Sequence, residues 1–249
     1  ETAVTVTFPT IDPSSVYRKV LIEEYTAFHC PNCPNGHAKL EELHEIYGDT
    51  LIAVGIHATA LAAPLTEYPY DFRTTTGNAL ATDYGIDGIP AAIINRGYEA
   101  GGWGVSRWQS KIQAVDRSKV YAAIQLINEY DAATGKLKVN SKVTMLQAYS
   151  NPLRLSFFLV EDSVIKPQIN GSTWIPDYVH NHVLRAGING TYGALLNGTG
   201  LLENGQSYTY GYITKFTGHD WNPAHCSVVA ILYDKANNEV LQVEKLKVK

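Results

Sequence analysis

The segment Val20-Leu21-Ile22-Glu23-Glu24-Tyr25-Thr26-Ala27-Phe28-His29-Cys30-Pro31-Asn32-Cys33 constrains this chain most, because an apolar run leads into two cysteines and then into a helical pattern. A C-x-x-C at a strand-to-helix junction puts its first cysteine where unpaired backbone N–H groups and the helix dipole favour a negative sulfur. The second lies one turn on, near enough to close a small ring with it. Pro31 and Pro34 fall in the first helical turn, where a missing N–H costs nothing. Thiol–disulfide chemistry is the leading expectation. Two other uses stay open: a static disulfide, and a metal held by His29, Cys30, Cys33 and His37. Four ligands crowded onto one helix start cannot easily surround a tetrahedral ion.

A chain of 249 residues has room for two domains, each with its own core. With 45% hydrophobic and 18% charged residues it reads as globular rather than disordered. A net charge of −4 with no cluster of Lys and Arg argues against nucleic acid as a partner. No run of eighteen apolar residues exists that could span a membrane. The start at Glu-Thr-Ala, without a signal-like segment, reads as a mature or trimmed form. Of three cysteines the motif uses two. Cys226 lies in an apolar strand-like run and is expected to be a buried free thiol.

Hydrophobic period divides the chain into an expected first domain, 1–132, and a second, 133–249. Before the boundary, strands are expected at 20–25, 51–57 and 91–95 and helices at 35–46 and 71–84. A further helical stretch is expected over 106–130, broken near Asp116-Arg117-Ser118. Leu40, Leu43, His44 and Tyr47 fall on one helical face. Alternating strands and helices imply an α/β layer. Beyond Asp131-Ala132-Ala133-Thr134-Gly135 the pattern becomes a series of strands, at 137–140, 143–146, 153–160, 178–185, 208–214, 226–233 and 240–248. Such a series, with Gly, Asn and Pro between its members, predicts a β-sandwich. Asp234-Lys235-Ala236-Asn237-Asn238 is expected to be a hairpin turn. Residues 2–8 alternate Thr and Val and read as an extra strand.

Ala81-Thr82-Asp83-Tyr84-Gly85-Ile86-Asp87-Gly88-Ile89-Pro90-Ala91-Ala92-Ile93-Ile94 resembles the second half of a thioredoxin, and 20–30 resembles the strand that delivers its redox cysteine. More narrowly, Glu23-Glu24-Tyr25-Thr26, Asn95-Arg96 and Tyr178-Val179-His180-Asn181-His182-Val183-Leu184-Arg185 resemble the twenty-eight-kilodalton outer membrane protein family of bacterial envelopes. That resemblance implies an α/β thioredoxin-like domain followed by an all-β immunoglobulin-like sandwich domain. It implies a place in the cell envelope, periplasmic or outer-membrane-associated. It also leaves open a membrane attachment through a removed N-terminal lipid anchor. Departures from thioredoxin include Pro-Asn between the cysteines and His29 in place of the usual tryptophan. The segment 60–70 is longer than a bare thioredoxin needs, and 97–104 is too rich in glycine to ensure the usual edge strand.

The resemblance assigns roles. Cys30 would attack a substrate disulfide and Cys33 would resolve the mixed disulfide. Glu24 occupies the place of the buried acid that moves protons for the second cysteine; buried, its pKa would be raised. A partly exposed strand acid is the alternative. Pro90 takes the place of the cis proline, and Ile89-Pro90 would set backbone opposite Cys30, leaving an edge open for an extended peptide. His29, when protonated, would steady the Cys30 thiolate. No cofactor is expected, and the expected partners are protein thiols or disulfides. The rival expectation is a surface interaction, adhesion or structural envelope protein whose C-x-x-C only staples the first domain. His180 and His182 share a strand face by the period of two; a solvated or domain-facing polar face is expected there, with a bridging metal as the alternative. Tyr68-Pro69-Tyr70, Trp103 and Trp108 either line a groove or pack. Asn170-Gly171-Ser172, Asn189-Gly190-Thr191 and Asn197-Gly198-Thr199 fit glycosylation acceptors, but in a bacterial chain read as Asn-Gly turns.

Overall fold

The computed structural model describes residues 6–197 and 201–249. Along the chain come β1 (Val20–Thr26), α1 (Cys33–Tyr47), β2 (Leu51–His57), α2 (Thr75–Asp83), β3 (Ala91–Ile94), β4 (Trp103–Gly104) and α3 (Trp108–Gln113). β1 pairs with β2 in parallel, β3 joins β1 antiparallel, and β4 joins β3. The order β2-β1-β3-β4, with a helix entered directly from β1, is that of a thioredoxin-like layer. β1 and β2 are buried along their whole length, which explains the near-continuous apolar sequence of β2, while β1 also buries Glu23 and Glu24. α1 buries Cys33, Gly36, Leu40 and Leu43 at helical spacing, and Gly48 ends it at φ 52°. Leu40 and Leu43 join Val20, Ile22, Leu51, Trp108 and Ile112 in one core. Trp108 is therefore packing, and its Nε1–H donates to the Trp103 carbonyl at 2.7 Å.

The expected helix over 106–130 is corrected. α3 ends at Gln113, and β5 (Ala122–Asp131) pairs antiparallel with β6 (Lys136–Met145). Residues 131–135 are thus the turn of a hairpin. β6 runs unbroken where two short strands are expected. Then follow β7 (Leu153–Glu161), β8 (Val164–Ile165), β9 (Gln168–Asn170), β10 (Thr173–Ile175), β11 (Val179–His180) and β12 (Val183–Gly187). The expected single strand over 178–185 is corrected as well, since His182 at φ 58° breaks it between β11 and β12. Last come β13 (Ala194–Leu195), β14 (Ser207–Lys215), β15 (Cys226–Asp234) and β16 (Val240–Lys247), with the expected hairpin turn between β15 and β16. Of the expected strand over 2–8, residues 2–5 lie outside the described residues and 6–8 are not in a strand.

The compact units do not follow a division at 132/133. One comprises Val20–Val115 and Val160–Ala186; the other comprises Glu1–Lys19, Asp116–Leu159 and Gly187–Lys249. The physical reason is pairing. β12 joins β2 in parallel at Val183 and Gly55, so a segment late in sequence completes the thioredoxin-like layer. Because β5 pairs with β6, the end of the expected first domain belongs with the β-rich unit. In that unit β5, β6 and β14 form a three-stranded antiparallel sheet, while β16, β15 and β7 lie side by side, with β15 antiparallel to β16 and β13 antiparallel on β7. Its interior holds Leu137, Val139, Val143, Phe157, Val228 and Ile231, and Cys226 is buried there outside any disulfide. The molecule is mixed α/β, with much sheet and few helices.

Candidate active site

Cys30 and Cys33 form a disulfide with Cα atoms 5.4 Å apart. Cys33 is the first residue of α1, and its N–H donates to the Cys30 carbonyl at 3.3 Å. The Ile89-Pro90 peptide is cis, and the Ile89 carbonyl oxygen lies 3.7 Å from Cys30 Sγ. The expected residues therefore meet at one place. An attacking thiol would be expected to be accessible, yet Cys30 is only 2% exposed and Cys33 is fully buried. Ala62, from the long 60–70 segment, and Ile89 pack on the two cysteines. A second cover comes from β9. Gln168 Nε2 donates to the carbonyls of Ala27 and Cys30 at 3.3 and 3.1 Å, the Ile169 N–H to Phe28, and the Gly171 N–H to Pro31.

Glu23 and Glu24 sit on opposite faces of β1 by the strand's period of two. Glu23 forms a buried ion pair with Arg96 at 3.0 Å. Arg96 and Asn95 both adopt positive φ, and Asn95 Oδ1 accepts from the Leu21 N–H at 2.8 Å. Glu24 is 2% exposed, so burial is the reading that holds, and its Oε1 has no hydrogen-bond partner. Burial pushes its carboxyl up to about 8. Gly36 leaves room for it: a Cβ at position 36 would stand 2.6 Å from Glu24 Oε1 and 3.1 Å from Pro90 Cβ.

Histidines surround this acid. His37 Nε2 lies 2.9 Å from Thr26 Oγ1 and 3.8 Å from Glu24 Oε1, while its Nδ1 is 2.6 Å from the Tyr178 hydroxyl. Burial pushes His37 down to about 3 and Glu24 up, so both are neutral near pH 7 and the contact is not an ion pair. His180, with its ring 5.6 Å from His57 and 6.3 Å from His37, is lowered by burial to about 4. His57, fully enclosed, is pushed well down by burial and then by His180. The expectation that His180 and His182 share one polar face, solvated or domain-facing, is corrected. The break at His182 sends His180 into this cluster, whereas the His182 ring lies tilted 4.9 Å from that of His44 and meets Asp162 at 2.9 Å. The metal set of His29, Cys30, Cys33 and His37 is corrected too: the sulfurs are bonded to each other and both His37 nitrogens are engaged. Among the described residues no group of His, Cys, Asp and Glu is arranged to hold a metal ion.

His29 lies at the half-buried rim and stacks on Trp174 at 5.6 Å. Tyr68 also packs on Trp174, and Tyr70 on Phe28 and Phe72. Gly171, at φ 59°, makes the expected turn between β9 and β10, and Gly190 turns at φ 83°. Residues 198 and 199 of the third Asn-Gly site lie outside the described residues. Sequence reading assigned no role to Thr26, Gly36, His57, Gln168 or Tyr178. Thr26 and Tyr178 carried a signal, as members of the 23–26 and 178–185 motifs.

Together these features define a thioredoxin-like unit with a covered C-x-x-C disulfide and a buried acid behind it. The chain belongs to the family of outer membrane protein Omp28, whose family model matches residues 77–249. Its place is accordingly the bacterial cell envelope, and among the described residues no helix is long and apolar enough to cross a membrane. The match takes in Pro90, Arg96 and the 178–185 motif but begins after the cysteines. HBP35 of Porphyromonas gingivalis is similar in fold, with a TM-score of 0.72 at 17% identity, covering 94% of this chain and 76% of that one. A protein of Agrobacterium tumefaciens has a TM-score of 0.55 at 11% identity, covering 94% and 96%. A domain of the outer membrane lipoprotein Omp28 from Porphyromonas gingivalis has a TM-score of 0.37 at 24% identity, covering 52% and 89%. No curated protein matches the chain.

Proposed function

We propose that this is a thiol–disulfide exchange protein of the cell envelope that works through Cys30 and Cys33. The observation carrying the reading is Glu24: a carboxyl buried against the first turns of α1, with one oxygen unpartnered. An acid so placed costs stability unless it has a use, and a proton acceptor beside a resolving thiol is such a use. In the reducing direction, the Cys30 thiolate attacks a substrate disulfide, forming one S–S bond and releasing one substrate thiolate. Glu24, having first released its own proton, takes the proton of Cys33 as Cys33 attacks Cys30 Sγ. The Cys30–substrate bond breaks, the second substrate thiolate leaves, and the substrate has gained two electrons. Oxidation of a dithiol runs these steps backwards. The expected partners are protein thiols or disulfides, met as an extended peptide beside Cys30 and Pro90, with His29 steadying the thiolate. The β-rich unit we read as an immunoglobulin-like sandwich, supported by the antiparallel pairing of β5, β6 and β14 and of β15 with β16.

A trapping experiment tests the exchange reading. Reduced Cys33→Ser protein, mixed with a disulfide-bonded peptide, should accumulate the peptide on Cys30. Absence of this adduct from the folded protein, with ready trapping after denaturation, would overturn it. Burial of the disulfide favours a second reading, an interaction or structural envelope protein in which the bond is a staple. That negative result would select it.

A further inference from the structure

Three observations around Glu24 have no part in the exchange chemistry as so far described. Its Oε1 is buried and unpartnered although an imidazole stands 3.8 Å away. That imidazole is held at both nitrogens, by Thr26 and by Tyr178. A cavity of about 30 Å³, lined by Glu24, His37, Leu40, Glu41, Val179, Asn181 and His182, opens alongside. A neutral phenol can donate or accept; with Tyr178 donating to His37 Nδ1, the imidazole proton sits on Nε2. The Nε2–H then faces Thr26 Oγ1 and, beyond it, Glu24.

We propose that Tyr178 and His37 are a positioning pair for Glu24: Tyr178 fixes the His37 tautomer so that an N–H stands ready for the carboxylate each time Glu24 gives up its proton. While Glu24 is protonated, Thr26 takes that N–H at 2.9 Å. When Glu24 ionises, a turn of the imidazole by about 1 Å brings the donor into hydrogen-bond range. The cavity has room for one water, with carboxyl, amide and imidazole groups to hold it, and so gives the departing proton an exit. The other titratable groups lining the cavity with Glu24 and His37 are Glu41 on α1 and His182. Tyr178 comes from Val160–Ala186, so the late segment supplies a part of the site as well as a strand.

The pair deepens the exchange reading, and its role in turnover rests on that reading. It is tested on the oxidised full-length protein, where no exchange occurs. The infrared carbonyl band of protonated Glu24, assigned by difference from Glu24→Gln, is followed against pH. Tyr178→Phe keeps the ring and frees the tautomer; its midpoint should rise by about one pH unit. His37→Leu, which removes the donor, should raise it similarly, and His37→Gln, which keeps one, should stay near wild type. If the Phe and Leu variants titrate with wild type, the proposal is overturned. Shifted midpoints in a protein that fails the trapping experiment would keep the pair and overturn only the exchange reading.

Discussion

At the scale of single residues, the site is a set of titratable groups held neutral by burial, and their signs oppose one another. Glu24 has its folded pKa raised to about 8 from 4.5. Below 4.5 both states hold the proton. As pH rises from there to 8 the unfolded chain ionises first, so stability is lost across that window. His37, His180 and His57 are lowered from 6.5, the first two to about 3 and about 4. Below 6.5 the unfolded chain binds protons that the folded one refuses, so their contribution is lost as pH falls. Between pH 6.5 and 8 Glu24 acts alone among these four. Wild type should lose about 2 kcal/mol of stability over that interval relative to Glu24→Gln. Denaturant melts of both proteins at the two pH values measure it, and parallel curves would remove Glu24 as a buried titrating acid.

At the scale of elements, the first turns of α1 show how packing overrides propensity. Gly36 is a poor helix residue, and alanine there would gain about 1 kcal/mol on an exposed helix. Here the added Cβ would fall 2.6 Å from Glu24 Oε1 and 3.1 Å from the Trp108 ring. Gly36→Ala should therefore destabilise the protein by a net ~1–2 kcal/mol, the overpacking strain exceeding the helix gain. Chemical denaturation checks this; a more stable variant would mean that Glu24 moves aside freely. The same balance explains what was legible. β1, β2 and α1 announce themselves, because continuous apolar runs and a three-and-four spacing have few other readings. The stretch Val120-Tyr121-Ala122-Ala123-Ile124 does not, since a short apolar run rich in alanine suits helix and strand alike. Pairing with β6, a tertiary event, decides it. His182 breaks its strand through a positive φ that a histidine's sequence context does not advertise.

At the scale of the whole chain, the candidate site draws on two stretches, Val20–Val115 and Val160–Ala186. The first half of the site was legible: Glu24, Cys30, Cys33, Ile89 and Pro90 are where the motif put them. The second half was not, because a strand's partner is not written in its own period. Gln168 and Tyr178 sit 138 and 141 residues from the groups they bond, Cys30 and His37. The family-like segments make sense only once folded: Glu23 meets Arg96, Thr26 meets His37, and Tyr178 closes the chain of contacts. The cover over the disulfide is equally a product of assembly, and it sharpens the central question of whether this bond turns over. Equilibrating the intact protein in glutathione buffers and quantifying the Cys30–Cys33 bond by mass spectrometry answers it most directly. A working pair should show a potential above about −250 mV, and a value below about −300 mV would make the disulfide a staple and contradict the account.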